Sequence, residues 1–310
     1  MRAASYDQFG GPEVLGVGDF PDPPVGPDTV LVRARATSVN PVDWKIREGY
    51  LQGAYPHHLP IVPGWDVAGV VEAVGPAVTT GIRVGDEVWG YVRRDDVKHG
   101  TAAELVPAPE RTVARKPASL SFEEAAAVPL AGLTAWQALV ERLQVGTGDR
   151  VLVHAASGGV GQLAVQIAVA RGAEVIGTAS PANHDLVRSL GATTVLDHGA
   201  GPISKQLEDH GGPVDAVLDL VGGDALADAP SQVTDNARIA SIIEPDTVLE
   251  QGGHYVFVRP DRGHLDELAR LADDGRLTVT VARTFDLDEI ADAHRLSQEG
   301  HPGGKIVVRI

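Results

Sequence analysis

The sequence predicts an α/β protein: a doubly wound parallel sheet, preceded by a smaller β-rich domain. Three observations carry this. Residues 1 to about 115 hold short β-branched runs broken by turn signals, short apolar strands alternate with helical stretches from Ser119 onward, and a cluster of glycines stands between one strand and one helix.

In the first part, TVLVRARATSV and VAGVVEAV are strands of a twisted or barrel-like all-β domain, separated by GPD at 26–28 and VGDEV at 84–88. SFEEAAAVPLAGLTAWQALVE then opens helical texture on a capping box, with Ser121 followed three residues later by Glu124. RVLVHAA, AEVIGTAS, TTVLDH, VDAVLDLVG, ARIASII and HYVFVRP follow as short apolar strands, with helices such as QLAVQIAVARG and HDLVRSLGA between most of them. That rhythm requires crossover connections and hence parallel strands. The tail from Leu277 has strand, helix, strand character and is expected to return to the first domain. The expected division is therefore 1–115, completed by 276–310, and 116–275.

Composition narrows the function classes. A chain of 310 residues with 43% hydrophobic and 22% charged residues has a globular make-up and fits two domains. The start, MRAASYDQFGGPEVL, has no apolar stretch of signal-peptide length, and no membrane-span window occurs, so a cytoplasmic protein without a membrane partner is expected. There is no cysteine, which excludes disulfides, thiolate metal sites and a cysteine nucleophile. A formal charge of −16 disfavours nucleic acid as a partner.

The glycine cluster reads HAASGGVGQLAVQIA, after the strand RVLV. Val160, Leu163, Ala164, Ile167 and Ala168 recur at helical spacing beyond it, so Ser157, Gly158, Gly159, Val160 and Gly161 form a strand-to-helix turn. Glycines in such a turn allow a conformation that a Cβ opposes, approach to a diphosphate, and close packing of helix on sheet. The free N–H groups and the positive end of the helix dipole attract the diphosphate. A serine nucleophile elbow at Ser157 lacks the glycine two positions earlier. An NAD site carries an acid about 20 residues on. Here the second strand ends Gly177-Thr178-Ala179-Ser180, so the absent carboxylate and the Ser180 hydroxyl favour NADPH, with Asn183 and Arg188 as further candidate contacts.

With SVNPVDWKIREG at 38–49, VPGWDVAGVVEAVG at 62–75, VPLAGLTAWQAL at 128–139 and HAASGGVG at 154–161, the chain resembles the medium-chain dehydrogenase/reductase superfamily over its whole length. Within it, the chain is similar to the zinc-independent quinone oxidoreductase (zeta-crystallin-like) and enone reductase branch. The resemblance implies a GroES-like substrate domain, a Rossmann cofactor domain and a homodimer. Zinc-dependent members have a cysteine where this chain reads SVNPVD and Gly-His-Glu where it reads Gly64-Trp65-Asp66, so no metal is expected; His57 and His58 lack helical ligand spacing. What remains is hydride transfer to a quinone or an α,β-unsaturated carbonyl, whose oxygen gains negative charge and calls for a donor.

By resemblance Lys45 is the first candidate donor and Tyr50 the second, against a surface lysine and a loop-packing tyrosine. Asn40 and Asp43 are expected to order the loop and the nicotinamide ribose. Thr134 resembles the family's nicotinamide-side threonine, and His198 stands where relatives have a tyrosine beside the adenosine. Val221, Ile242, Phe257 and Val258 end or follow sheet strands, where ligands collect or core forms. Lys305 resembles a diphosphate contact. The alternative function is a dinucleotide-binding protein with little turnover, in a structural or sensing role; a biosynthetic enoyl reductase differs only in substrate.

Overall fold

The structure, a computed structural model, describes residues 1–235, 238–300 and 303–310. They form two compact units, one of Met1–Leu130, Arg259–Gly275 and Val279–Ile310, the other of Ala131–Val258 and Arg276–Thr278.

The first unit is built on a mixed seven-stranded sheet. Its centre is the Thr29–Val39 strand, which pairs antiparallel with Lys305–Arg309, Asp66–Val74 and Leu105–Pro109. The sheet continues from Asp66–Val74 through Glu87–Tyr91 to Val113–Arg115, and from Lys305–Arg309 to Val281–Asp286. β-Branched residues suit a pleated surface with one buried face; Val30, Val32, Val67, Val71, Val88, Val106 and Val113 accordingly fill one core cluster. Gly69 lies where the pairing shifts register, and a Cβ there would stand 2.2 Å from the Arg33 carbonyl oxygen. A side chain at 69 would push the two strands apart.

This unit extends past residue 115, the expected boundary, for a local reason. The Phe122–Ala126 helix, capped reciprocally by Ser121 and Glu124, packs on Thr29–Val39 and Asp66–Val74. The Leu130 N–H then donates to Asp66 Oδ1 at 2.7 Å. The Arg262–Asp273 helix also belongs here: Leu265, Leu268, Leu271 and Ala272 form its buried stripe, and it packs on Val113–Arg115.

The second unit holds a six-stranded, wholly parallel sheet. Its order is Thr194–Asp197, Glu174–Ala179, Arg150–Val153, Ala216–Asp219, Ile239–Ser241, His254–Tyr255. In sequence order that is 3-2-1-4-5-6, so the chain reverses direction of growth between Arg150–Val153 and Ala216–Asp219, and ligands of such sheets collect at the carboxyl ends beside that reversal. HYVFVRP yields only a two-residue strand, His254–Tyr255. As the outermost strand it has one neighbour, and Val256 N–H adds a last bond to the Ser241 carbonyl at 2.9 Å.

Candidate functional site

The glycine turn of the second unit departs from the central strand Arg150–Val153. Ala155 takes φ +46°, a left-handed conformation that costs an alanine about 1–2 kcal/mol. Its carbonyl oxygen thereby accepts the Gly158 N–H at 2.9 Å and lies 2.2 Å from where a Cβ on Gly161 would stand. On Gly158 the same oxygen would be 3.2 Å from a Cβ. Gly161 is thus required by a backbone contact, and Gly158 far less so. The Gly159–Ala170 helix begins here with Gly158 as N-cap and no side-chain cap. Its first-turn N–H groups have no acceptor within the helix, and residues 157–160 are only partly buried. That arrangement fits an external anion, and a diphosphate in particular.

Past the carboxyl ends of strands of the same sheet stand Ser180, Asn183, His198, Val221, Ile242, Phe257 and Val258. Ser180 caps a short turn and its Oγ accepts Asn183 Nδ2 at 3.1 Å, so these two are brought together. Ala179 beside them is 2% exposed, and the neighbouring Asp197 turns its carboxylate onto Gly199 N–H at 2.8 Å. His198 is exposed, Thr134 is buried in the Pro129–Trp136 helix, and Ile242 and Val258 are half-buried. Val221 and Phe257, at 52% and 46% exposure, leave apolar surface after their strands. Asp219, not singled out from sequence, shapes the Val221 loop: its carboxylate accepts Val221 N–H at 3.1 Å, Gly222 N–H at 3.0 Å and Ser241 Oγ–H at 2.6 Å.

In the first unit, Asn40, Asp43 and Lys305 are brought into one buried cluster with Asp66. Asp66 Oδ2 accepts from Ser38 Oγ at 2.7 Å and Asn40 Nδ2 at 2.8 Å, while Oδ1 takes the Leu130 N–H. The Lys305 ammonium, 5% exposed, donates to Asn40 Oδ1, and the Asp43 carboxylate caps the Pro41–Arg47 helix by accepting Asn40 N–H at 2.7 Å. Burial pushes Asp43 up to about 7, pushes Asp66 up and pushes Lys305 down. Both Asp66 oxygens are engaged and an ammonium already sits in the cluster, so this donor set does not suit a metal cation.

Lys45 lies on the same helix, half-buried, its ammonium 5.7 Å from the centre of the Trp44 ring. Tyr50 is 68% exposed and meets Trp44 edge-on at 6.2 Å between centroids. A hydrogen bond to Glu48 raises the phenol's pKa above its ordinary value. Arg47 anchors the helix: its buried guanidinium donates to the Gly10 carbonyl at 3.0 Å, His294 Nδ1 at 3.2 Å and Gln298 Oε1 at 3.1 Å. Burial beside Arg47 holds His294 down to about 3, so the imidazole is neutral.

Residues 26–118 match the family model for the alcohol dehydrogenase GroES-like domain, and residues 190–308 that for zinc-binding dehydrogenases. The chain is 32% identical over 325 residues to a chloroplast envelope quinone oxidoreductase homolog of Arabidopsis thaliana, covering 99% of this chain and 98% of that protein. It is 33% identical over 318 residues to an NADPH-dependent alkenal/one oxidoreductase of the same plant, covering 99% and 79%. The quinone oxidoreductase structure from Coxiella burnetii superposes with a TM-score of 0.89 at 35% identity, covering 100% and 99%.

Two outcomes follow from this geometry. Gly161→Ala should lower stability by about 1–3 kcal/mol, the range for overpacking, because the obstructing atom is backbone. Gly158→Ala should cost distinctly less, and equal losses in thermal unfolding would contradict the role given to the Ala155 carbonyl. At Asp43 the folded chain retains a proton that the unfolded chain, with an ordinary value of 3.8, has released. Its contribution is complete below about pH 4 and is lost as pH rises through about 7. Asp43→Asn keeps an acceptor for Asn40 without that titration, so its Tm should fall less than wild type, by a few degrees, between pH 5 and 8. Parallel Tm curves would contradict the assignment.

Proposed function

The chain belongs to the medium-chain dehydrogenase/reductase superfamily, in its zinc-independent quinone oxidoreductase branch, and on that premise we propose that it uses NADPH to reduce a quinone or an α,β-unsaturated carbonyl compound. It is an NAD(P)H-dependent oxidoreductase; the choice of NADPH and the residue roles are the proposed part. The observation that carries the reading is the uncapped helix start at Gly159 beside the sheet's point of reversal.

The dinucleotide, when bound, supplies hydride from its nicotinamide. The amides of Gly159, Val160 and Gly161 bind its diphosphate, with Ser157 and Gly158 shaping the approach. Ser180 and Asn183 receive the 2′-phosphate: the second strand ends without a carboxylate, and Asp197 is turned into its own loop. His198 is assigned to the adenosine, and Thr134, Val221, Ile242, Phe257 and Val258 to the nicotinamide side. Lys45 supplies the positive charge that stabilises the developing enolate or quinol oxygen, with Tyr50 as the second candidate donor. Asn40 orders the loop that carries Lys45. Lys305 neutralises Asp66 beneath that loop, a role that fits its burial better than direct diphosphate contact. No helix among the described residues is long and apolar enough to cross a membrane, and a cytoplasmic homodimer completes the proposal.

A screen of NADPH oxidation against quinones, enones and aldehydes tests the reaction class; oxidation with neither quinones nor enones would overturn it. Direct titration should give NADPH at least about tenfold tighter binding than NADH. Ser180→Asp should reverse that order, since its carboxylate repels the 2′-phosphate and accepts the ribose hydroxyls; Ala179 is too buried to take the acid. Tighter binding of NADH by wild type would refute the cofactor assignment.

Lys45→Met should lower kcat and kcat/KM together by roughly 10- to 1000-fold, more for an enone than for a quinone. Full activity in Lys45→Met with loss in Tyr50→Phe would transfer the donor's role to Tyr50.

A further inference from the structure

His154 follows the central strand directly, is 1% exposed, and is flanked by Thr178 and Gln232. The hydrogen bonds among these groups run in a single direction. Gln232 Nε2 donates to Asp228 Oδ2 at 3.0 Å, which turns the Gln232 Oε1 toward the imidazole. An amide oxygen only accepts, so His154 Nε2, 2.8 Å away, carries the proton. Burial lowers the pKa of His154 and keeps the ring neutral, which leaves Nδ1 as an acceptor. The Thr178 hydroxyl lies 3.4 Å from that Nδ1 and donates to it, while its oxygen accepts the Ala155 N–H at 3.1 Å. Asp228 is held in turn by Ser204, whose N–H and hydroxyl reach its two oxygens at 3.2 and 3.0 Å.

The end of this chain is the one strained residue of the glycine turn. Ala155 is left-handed at φ +46°, and the direction of its carbonyl decides which turn positions tolerate a side chain. We infer that His154, Thr178 and Gln232 are positioning residues for the dinucleotide: their relay holds Ala155 in its left-handed conformation, and so presents the first-turn amides of the Gly159–Ala170 helix in register for the diphosphate. The inference deepens the cofactor assignment above and rests on it, yet the relay has its own consequence for the free protein.

A double-mutant cycle tests it. Thr178→Val keeps the shape and deletes the hydroxyl; Thr178→Ser keeps the hydroxyl. Ala155→Gly supplies a residue that adopts positive φ without the steric penalty. Thr178→Val should weaken NADPH binding by about tenfold, the effect of losing roughly one buried hydrogen bond, and should lower the Tm of the free protein. Thr178→Ser should bind within about twofold of wild type. In the Ala155→Gly background, Thr178→Val should lose most of its effect on both readouts, since glycine no longer needs to be held. Equal losses with alanine and glycine at 155 would overturn the inference, as would a Thr178→Val protein indistinguishable from wild type. A wild-type chain that binds neither NADPH nor NADH would instead remove the cofactor reading, and the Tm cycle of the free protein would still decide the relay.

Discussion

The left-handed turn at Ala155 is the constraint from which the cofactor half of the molecule is built. It directs one carbonyl oxygen inward at the head of the central strand, where it accepts the Gly158 N–H and leaves no room for a side chain at Gly161. The helix can then start close to the strand, with no side-chain cap on its first turn. Gly177 extends the same economy of space to the second strand, where an added Cβ would meet Val187 and Ala156 at 2.7 and 2.9 Å. An anion site made of backbone amides needs no cationic side chain, so the proposed diphosphate site is compatible with a formal charge of −16.

The first unit solves a different problem. Two carboxylates and one ammonium are buried together, which is tolerable only because nearly every polar atom among them is bonded. Asn40 is the joint: its N–H goes to Asp43, its amide nitrogen to Asp66 and its amide oxygen to Lys305. The central strand, the Pro41–Arg47 helix and the carboxyl-terminal strand are fastened at that one residue. Where zinc-dependent members of the superfamily place metal ligands, this chain has a self-contained ionic cluster whose positive charge is its own lysine.

How much of this the sequence disclosed follows from the range of the interactions. The strand-and-helix rhythm, the Ser121–Glu124 cap and the glycine turn are set by residues within a few positions of one another, and they were legible. The relay joins His154 to partners 24 and 78 positions away, and the Asn40 cluster joins partners 26 and 265 positions away. No local pattern marks such pairs. Lys305 was legible as a basic residue in Gly304-Lys305-Ile306, but its inward direction depends on the register Ile306↔Val39, which only the folded sheet fixes. The expected boundary near 115 marks the end of β-rich texture, whereas the first unit retains two helices that pack on its sheet. Asp219 stood at a strand end like many others, and its role is plain only from the three donors that converge on it.

The proposed cofactor site holds the dinucleotide phosphates on the backbone at the start of the Gly159–Ala170 helix. Proton–nitrogen correlation spectra of protein labelled with ¹⁵N-glycine, recorded during titration with NADPH, address it directly. The amides of Gly159 and Gly161 should shift furthest, downfield as they donate to phosphate, and Gly212, whose carbonyl accepts from Arg150 at the amino end of the central strand, should stay in place. Saturable binding that leaves the Gly159 and Gly161 amides unmoved would rule out phosphate capture at this helix start.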